Sequence, residues 1–161
     1  MAWNKNGTPS TLTGTADVMT ISDLTAKKFN IILTNIIASG QVNATLKLNN
    51  DTGTKYSWRY QDDGTADGTG VSQTTLESDY GFNTYESFKV SYICSISGEE
   101  KLCISWEISD DTAGAGTAPY RREWVAKYVP SPDANITRID WNNAGTGDMA
   151  IGSNVSALGS N

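Results

Sequence analysis

The sequence predicts an all-β fold, an antiparallel sandwich or barrel, from three observations. Apolar residues make up 38% of the 161 residues, and Thr, Ser, Asn and Gly supply much of the rest, which is the composition of strands joined by turns. Stretches of good helix formers are almost absent. Roughly seven to nine short segments follow one another at a spacing of about ten residues, with turn signals between them.

The first element is a polar N-terminal arm, residues 1–16, whose one aromatic residue is Trp3. A lone Trp gains by leaving water, so the arm is either loose or docks Trp3 onto the domain or a neighbouring subunit. The predicted strands then follow at 18–21, 29–37, 42–49, 56–60, 88–96, 102–108, 121–129 and 134–141. The body of the sandwich is therefore expected at residues 17–142.

The tail, residues 143–161, is rich in Gly, Asn and Ser but carries recurring apolar residues. Disordered tails have little use for such residues, which favours a last strand after Gly152 over a flexible tail. An arm that clasps a neighbouring subunit is the other structured possibility.

Two alternating runs flank the polar turn Asn49–Gly53 and predict a hairpin. Their apolar residues are Ala44, Leu46 and Leu48 before the turn, and Tyr56, Trp58 and Tyr60 after it. Alternation at period two is typical of a half-buried strand. Pairing Leu46 with Trp58 would place all of these side chains on one face, so this pairing is the predicted register.

A second hairpin is predicted between residues 88–96 and 102–108. One face of each strand is apolar, and its members are Phe88, Val90, Tyr92, Cys94 and Ile96, and Leu102, Ile104, Trp106 and Ile108. Pairing Ile96 with Leu102 and Tyr92 with Trp106 keeps the two apolar faces together, and register normally follows the buried face. Cys94 is then predicted to point inward and Cys103 to the other face, with no disulfide between them.

Residues 61–73 form a predicted surface loop with three glycines and the carboxylates Asp62, Asp63 and Asp67. A calcium site is the alternative, but the spacing does not fit the calcium loop of helix–loop–helix proteins, so a solvated acidic loop is favoured. Arg121 and Arg122 form a local basic cluster, which we expect to make ion pairs with the acidic surface.

Composition lowers the expectation of several functions. The chain has no histidine, which removes the commonest general base and zinc ligand, and two cysteines cannot form a zinc site alone. We therefore expect no catalytic residues, metal or cofactor. The net charge of −6 argues against nucleic acid as a partner, and no apolar run is long enough to cross a membrane. Without an apolar signal segment, the protein is expected to stay in the cytoplasm until assembly or release.

Several segments resemble a pattern found in small virion structural proteins of tailed bacteriophages. They are Leu24–Phe29, Leu48–Gly53 with Tyr56 and Arg59, the strand Ile136–Ile139, Ala150–Ser153, and Leu158 with Gly159. The resemblance covers about half of the chain and implies a jelly-roll-like sandwich on a capsid, tail or fibre. It carries no catalytic residues and does not say which part of the virion is meant.

The resemblance implies a non-enzymatic virion protein, made in the host cytoplasm, that decorates or cements the capsid or forms part of a tail or fibre. Its expected partners are other virion proteins and copies of itself, with a trimer favoured and Trp3 as a subunit contact. The alternative is a carbohydrate-binding or host-adhesion module, for which Trp58, Tyr60, Asp62 and Asp63 are the candidate ligand residues. A glycoside hydrolase is less favoured, because nothing in the sequence pairs two carboxylates.

Overall fold

The computed structural model describes residues 2–78, 86–110, 112, 114–130 and 134–161. Within these ranges all regular structure is β-strand. The fourteen strands are β1 (Asn4–Lys5), β2 (Ser10–Thr11), β3 (Val18–Ile21), β4 (Phe29–Ser39), β5 (Ala44–Leu48), β6 (Tyr56–Asp62), β7 (Gly68–Gln73), β8 (Glu77–Ser78), β9 (Glu86–Cys94), β10 (Lys101–Ser109), β11 (Tyr120–Tyr128), β12 (Ile139–Asn143), β13 (Asp148–Met149) and β14 (Asn154–Ser160).

The strands form two antiparallel sheets packed in a sandwich-like arrangement, which confirms the predicted all-β sandwich and decides against a closed barrel. The large sheet has the order β1-β14-β4-β9-β10-β11-β6-β7, with β2 paired to β14 and β13 paired to β4. The small sheet has the order β3-β12-β5-β8. Because the large sheet has more strands, the small sheet can cover only part of its inner face.

The hydrophobic core lies between the two sheets. The small sheet contributes Met19, Ile21, Leu46, Leu48, Ile139 and Trp141, and the large sheet contributes Ile32, Ile36, Ile93, Val155 and Ala157, all of them buried. Trp141 also donates its indole N–H to the Thr34 hydroxyl of the other sheet at 3.0 Å, so its polar atom is satisfied inside the core.

Both ends of the chain are built into the large sheet. Residues 154–160 of the tail form β14, which pairs with β4 along its whole length. Strands β1 and β2 of the N-terminal segment both pair with β14. The buried Asn6 side chain secures this segment, because its Nδ2 donates to Asn30 Oδ1 at 2.9 Å and its Oδ1 accepts the Thr25 backbone N–H at 2.9 Å.

The prediction of a hairpin around Asn49–Gly53 is wrong. Strand β5 pairs with β12 and β8, and β6 pairs with β11 and β7, so the two strands belong to different sheets. The turn carries the chain across the sandwich. Leu46 and Tyr56 both face the core between the sheets, but they reach it from opposite sides. Each strand therefore alternates apolar and polar residues as it would in a hairpin.

The second hairpin forms between β9 and β10, but its register and orientation differ from the prediction. Leu102 pairs with Cys94 and Trp106 with Val90, a shift of two residues. Both cysteines are free and lie on opposite faces, which confirms the absence of a disulfide. However, Cys103 points inward and Cys94 outward. The inner positions of these strands hold serines and a buried ion pair, and the apolar residues face out.

Candidate functional site

The outer face of the large sheet carries a continuous apolar surface. Its twelve members, called here the outer apolar face, are Phe29, Ile31 and Leu33 of β4, Phe88, Val90, Tyr92 and Cys94 of β9, Leu102, Ile104, Trp106 and Ile108 of β10, and Val125 of β11. Seven of them are between 45% and 54% exposed: Phe88, Tyr92, Leu102, Ile104, Trp106, Ile108 and Val125.

The strand register arranges these residues in rows across the sheet. The two central rows are Leu33–Val90–Trp106 and Ile31–Tyr92–Ile104–Val125. At the centre the rings of Tyr92 and Trp106 meet edge to face, with their centroids 5.7 Å apart. Trp and Tyr are the residue types that most often dominate protein interfaces. The sheet therefore presents a formed apolar surface with an aromatic centre.

Polar residues border this face on both sides. On the β11 side, Arg121, Glu123 and Lys127 extend the rows, and Lys127 pairs with Glu100 at 3.1 Å. On the β14 side, Asn154 and Ser156 lie opposite Asn35 and Leu33, and Leu158, opposite Ile31, is an apolar exception. An apolar centre with a polar rim is the usual anatomy of a protein–protein interface.

The inner face of the same strands is polar and buried. Lys89 and Glu107 lie directly opposite each other, with Lys89 Nζ 3.0 Å from Glu107 Oε2 and side-chain exposures of only 3% and 2%. The Lys89 ammonium also lies 4.9 Å from the ring centroid of Trp141. Next to the pair, the hydroxyls of Ser91 and Ser105 are hydrogen-bonded at 2.9 Å. A Lys and a Glu near the centres of two adjacent predicted strands are the sequence signal for this pair. The pair was not predicted from the sequence.

Trp58 and Tyr60, two of the predicted ligand residues, belong to an aromatic cluster on the inner face of β6. Their ring centroids are 5.6 Å apart, and both rings contact buried Trp124 of β11. They lie over Gly70 and Gly68 of β7, where an added Cβ would come within 2.6 Å of the ring atoms. Residues 68–73 therefore form a strand where a loop was predicted, because these glycines make room for the rings.

Asp62 and Asp63, the other two predicted ligand residues, are held by neighbouring groups of the chain. Asp62 makes a two-pronged ion pair with Arg122, whose guanidinium lies 4.8 Å from the Tyr60 ring centroid. Asp63 Oδ1 accepts the Arg121 backbone N–H at 2.8 Å. The expected pairing of the basic cluster with the acidic surface is thus confirmed for Arg122.

The third acidic residue of this region, Asp67, pairs with Arg59 at 2.8 Å. Among the described residues, no three His, Cys, Asp or Glu side chains are grouped so that they could hold a metal ion. Trp3, the predicted subunit contact, is 41% exposed beside β1.

The turn Asn49–Gly53 ties the two sheets together. Asn49 adopts a left-handed φ of 56° and accepts the Thr137 backbone N–H at 2.8 Å, next to the small sheet. Asp51 accepts the Gly53 N–H at 2.8 Å, Lys55 Nζ at 3.0 Å and the Tyr128 hydroxyl of the large sheet at 2.9 Å. A turn that looked like a candidate site from its residues therefore acts as a structural anchor.

The electrostatics of this turn follow from its contacts. Burial pushes the pKa of Asp51 upward, but hydrogen bonds from Gly53, Lys55 and Tyr128 outweigh it and hold the pKa below the ordinary 3.8. Burial raises the pKa of Tyr56 and Tyr128 well above the ordinary tyrosine value. Their rings stack with centroids 4.7 Å apart, and both hydroxyls remain protonated hydrogen-bond donors.

In the part of the chain that the structure describes, no helix has the length and hydropathy to cross a bilayer. No protein-family model matches the chain, and no significant match exists among the curated proteins or the solved structures.

Proposed function

We propose that this chain is a non-enzymatic structural protein of a tailed-phage virion, where it decorates or cements the capsid or forms part of a tail or fibre. The observation that carries the proposal is the outer apolar face. A soluble monomer rarely exposes an apolar patch larger than about 300–600 Å². Seven large side chains, each about half exposed, amount to roughly 700 Å², taking about 100 Å² for half of a large side chain.

The rest of the surface supports a passive, structural role. The carboxylates of residues 61–73 make ion pairs or backbone hydrogen bonds within the chain and do not converge on a shared point. The segments that resemble those of virion proteins include Leu48–Gly53, and this segment joins the two sheets. Such an anchor is a requirement of the fold and would be kept in proteins that differ in their partners.

The alternative, a carbohydrate-binding module, draws less support from the geometry. Sugar binding would require the rings of Trp58 and Tyr60 to offer a free face, yet they lie against Gly70 and Gly68. Asp62, a predicted ligand residue at the end of the same strand, already pairs with Arg122. A glycan array tests this alternative directly: binding that Trp58→Ala abolishes and Trp106→Ala leaves unchanged would favour it.

The proposal is tested by quantitative mass spectrometry of gradient-purified particles of the phage that encodes the chain. We expect the protein at a fixed copy number per particle. Phage carrying Trp106→Glu should yield particles without it, whereas the control Val71→Glu, at an exposed position of the same sheet, should keep it. A protein abundant in the lysate but absent from wild-type particles would overturn the proposal.

A further inference from the structure

We infer that the outer apolar face is covered by a second copy of the same chain, in a two-fold dimer whose axis runs parallel to β9. The inference rests on the proposed function in one respect: it names the partner for the surface from which that function was proposed. Its observations are the size of that face, the order of its residues and the position of its charges.

The size of the face fits one partner of its own kind. Seven half-exposed side chains supply roughly 700 Å², and the half-buried Phe29, Ile31, Leu33, Val90 and Cys94 extend this toward about 800 Å². A standard specific interface buries about 800 Å² on each partner. A face of one sheet packs against another sheet at about 10 Å with the strands nearly aligned, as the layers of a sandwich do.

A two-fold axis parallel to β9 makes the face complementary to itself. It places β9 over the partner's β9 and β10 over the partner's β4, so that each row meets the same row of the second copy. Ile104 then faces the partner's Ile31, and Trp106 faces the partner's Leu33, because each pair shares a row in the register.

The outer columns match in the same arrangement. Strand β11 comes to lie over the partner's β14, which is the strand on the other side of the apolar centre. Val125 then faces the partner's Leu158, since both residues extend the row that contains Ile31. In the next row Glu123 faces Ser156, so this carboxylate meets a hydroxyl.

Other arrangements fit less well. An axis perpendicular to the strands would place Arg121 over Lys127 of the second copy, so that like charges face each other. In a three-fold arrangement, three flat faces meet around one axis and each is inclined to its neighbours. The part of each face farthest from the axis would then stay in water. The expected trimer is therefore replaced by a dimer in this inference.

The first test is the mass of the purified chain in solution, measured by sedimentation equilibrium at several concentrations. We expect a dimer. Trp106→Glu, at the centre of the face, should weaken the dimer at least about 30-fold, the effect of removing an interface hot spot. The control Val71→Glu, outside the face but on the same sheet, should leave it unchanged. A monomer at all concentrations, or a trimer, overturns the inference.

The second test uses one contact between β11 and β14. Val125→Lys and Leu158→Glu should each weaken the dimer, and an equal mixture of the two variants should restore it, because the introduced ammonium of one copy then meets the introduced carboxylate of the other. Within one chain these strands are four spacings, or about 19 Å, apart, so a rescue has to arise between chains. Folded variants that do not recover on mixing overturn the proposed axis, and circular dichroism shows whether each variant is folded.

The native cysteines give a readout in the unaltered chain. Cys94 lies half-buried on the outer apolar face and Cys103 is buried on the other side. The dimer predicts that alkylation of Cys94 slows as protein concentration rises. A rate independent of concentration across the range that forms dimer counts against this face as the interface.

The outcomes separate this inference from the proposed function. A chain that is monomeric in solution but present in purified particles overturns the dimer and leaves the function standing. A dimer that is absent from particles supports the inference and overturns the function.

Discussion

The two faces of β9 and β10 are built from opposite kinds of side chain. The outer face is apolar and half exposed, whereas the inner face is largely polar and carries four serines and the buried pair Lys89–Glu107. In a solitary sandwich the apolar face normally turns inward. The difference shows that the side chains of these strands lie in two environments: one face is buried inside the chain, and the other is on its surface. The polar inner layer is buried within the chain, and the apolar outer layer faces solvent.

The largest expected effect comes from breaking the inner ion pair. Glu107→Gln leaves the Lys89 ammonium buried without its carboxylate, and we expect a loss of about 3–5 kcal/mol in the free energy of unfolding. Replacing both partners, Lys89→Met with Glu107→Leu, should restore most of this loss or exceed it, because two desolvated charges disappear together. Urea unfolding measures both, and a single variant as stable as wild type would contradict the burial of the pair.

A matched pair of isoleucines compares the two faces directly. Ile93→Ala on the inner face removes a buried side chain and should cost about 2–4 kcal/mol. Ile104→Ala on the outer face should cost less than about 1 kcal/mol at concentrations that keep the chain monomeric, since that side chain is half exposed. Unfolding curves at low concentration test this, and equal losses at the two sites would remove the contrast between the faces.

The inner face can also be tested at its far end, where Trp58 lies on Gly70. Gly70→Ala would place a Cβ 2.5 Å from the indole ring, and we expect a loss of about 2 kcal/mol as the ring is displaced. Gly116→Ala is the control, because nothing lies within 4 Å of its Cβ position. Thermal unfolding of the two variants gives the comparison, and a neutral Gly70→Ala would mean that the ring does not pack there.

A smaller effect than that of Gly70→Ala is expected at the turn that joins the sheets. Asp51→Asn weakens the hydrogen bonds to Tyr128 and Lys55 and should cost about 1.5 kcal/mol at neutral pH. Because folding lowers the pKa of Asp51, its contribution is fully present above the ordinary value of 3.8 and is lost as the pH falls through the lower folded value. The gap between wild type and variant should therefore close in acid, and a gap independent of pH would contradict the lowered pKa.

Much of the fold could be predicted from the sequence, because alternation identifies which residues share a face. The strand containing Phe88 and Tyr92 and the one containing Ile104 and Trp106 were recognised with their apolar residues correctly grouped. Alternation does not say whether that group faces inward, since a face buried against another chain leaves the same pattern. Cys94 was therefore predicted to point inward, although it points outward.

The partner of a strand is harder to predict than its faces. Leu46 and Trp58 alternate in step on either side of a short polar turn, a pattern that a hairpin and a crossing between sheets share. What separates the two is the network around Asn49 and Asp51, whose partners Thr137 and Tyr128 are distant in sequence. Local spacing carries no information about such partners.

The position of β14 has a consequence for how the protein is made. This strand is formed by residues 154–160, yet it lies inside the large sheet between β4 and the strands β1 and β2, which come far earlier in the chain. Strands β1 and β2 are therefore synthesised long before β14 and cannot pair with it until it has left the ribosome. Leu158, which borders the outer apolar face beside Ile31, is synthesised with this strand. The surface proposed for assembly is thus complete only once β14 has been synthesised, which would delay pairing between copies until that point.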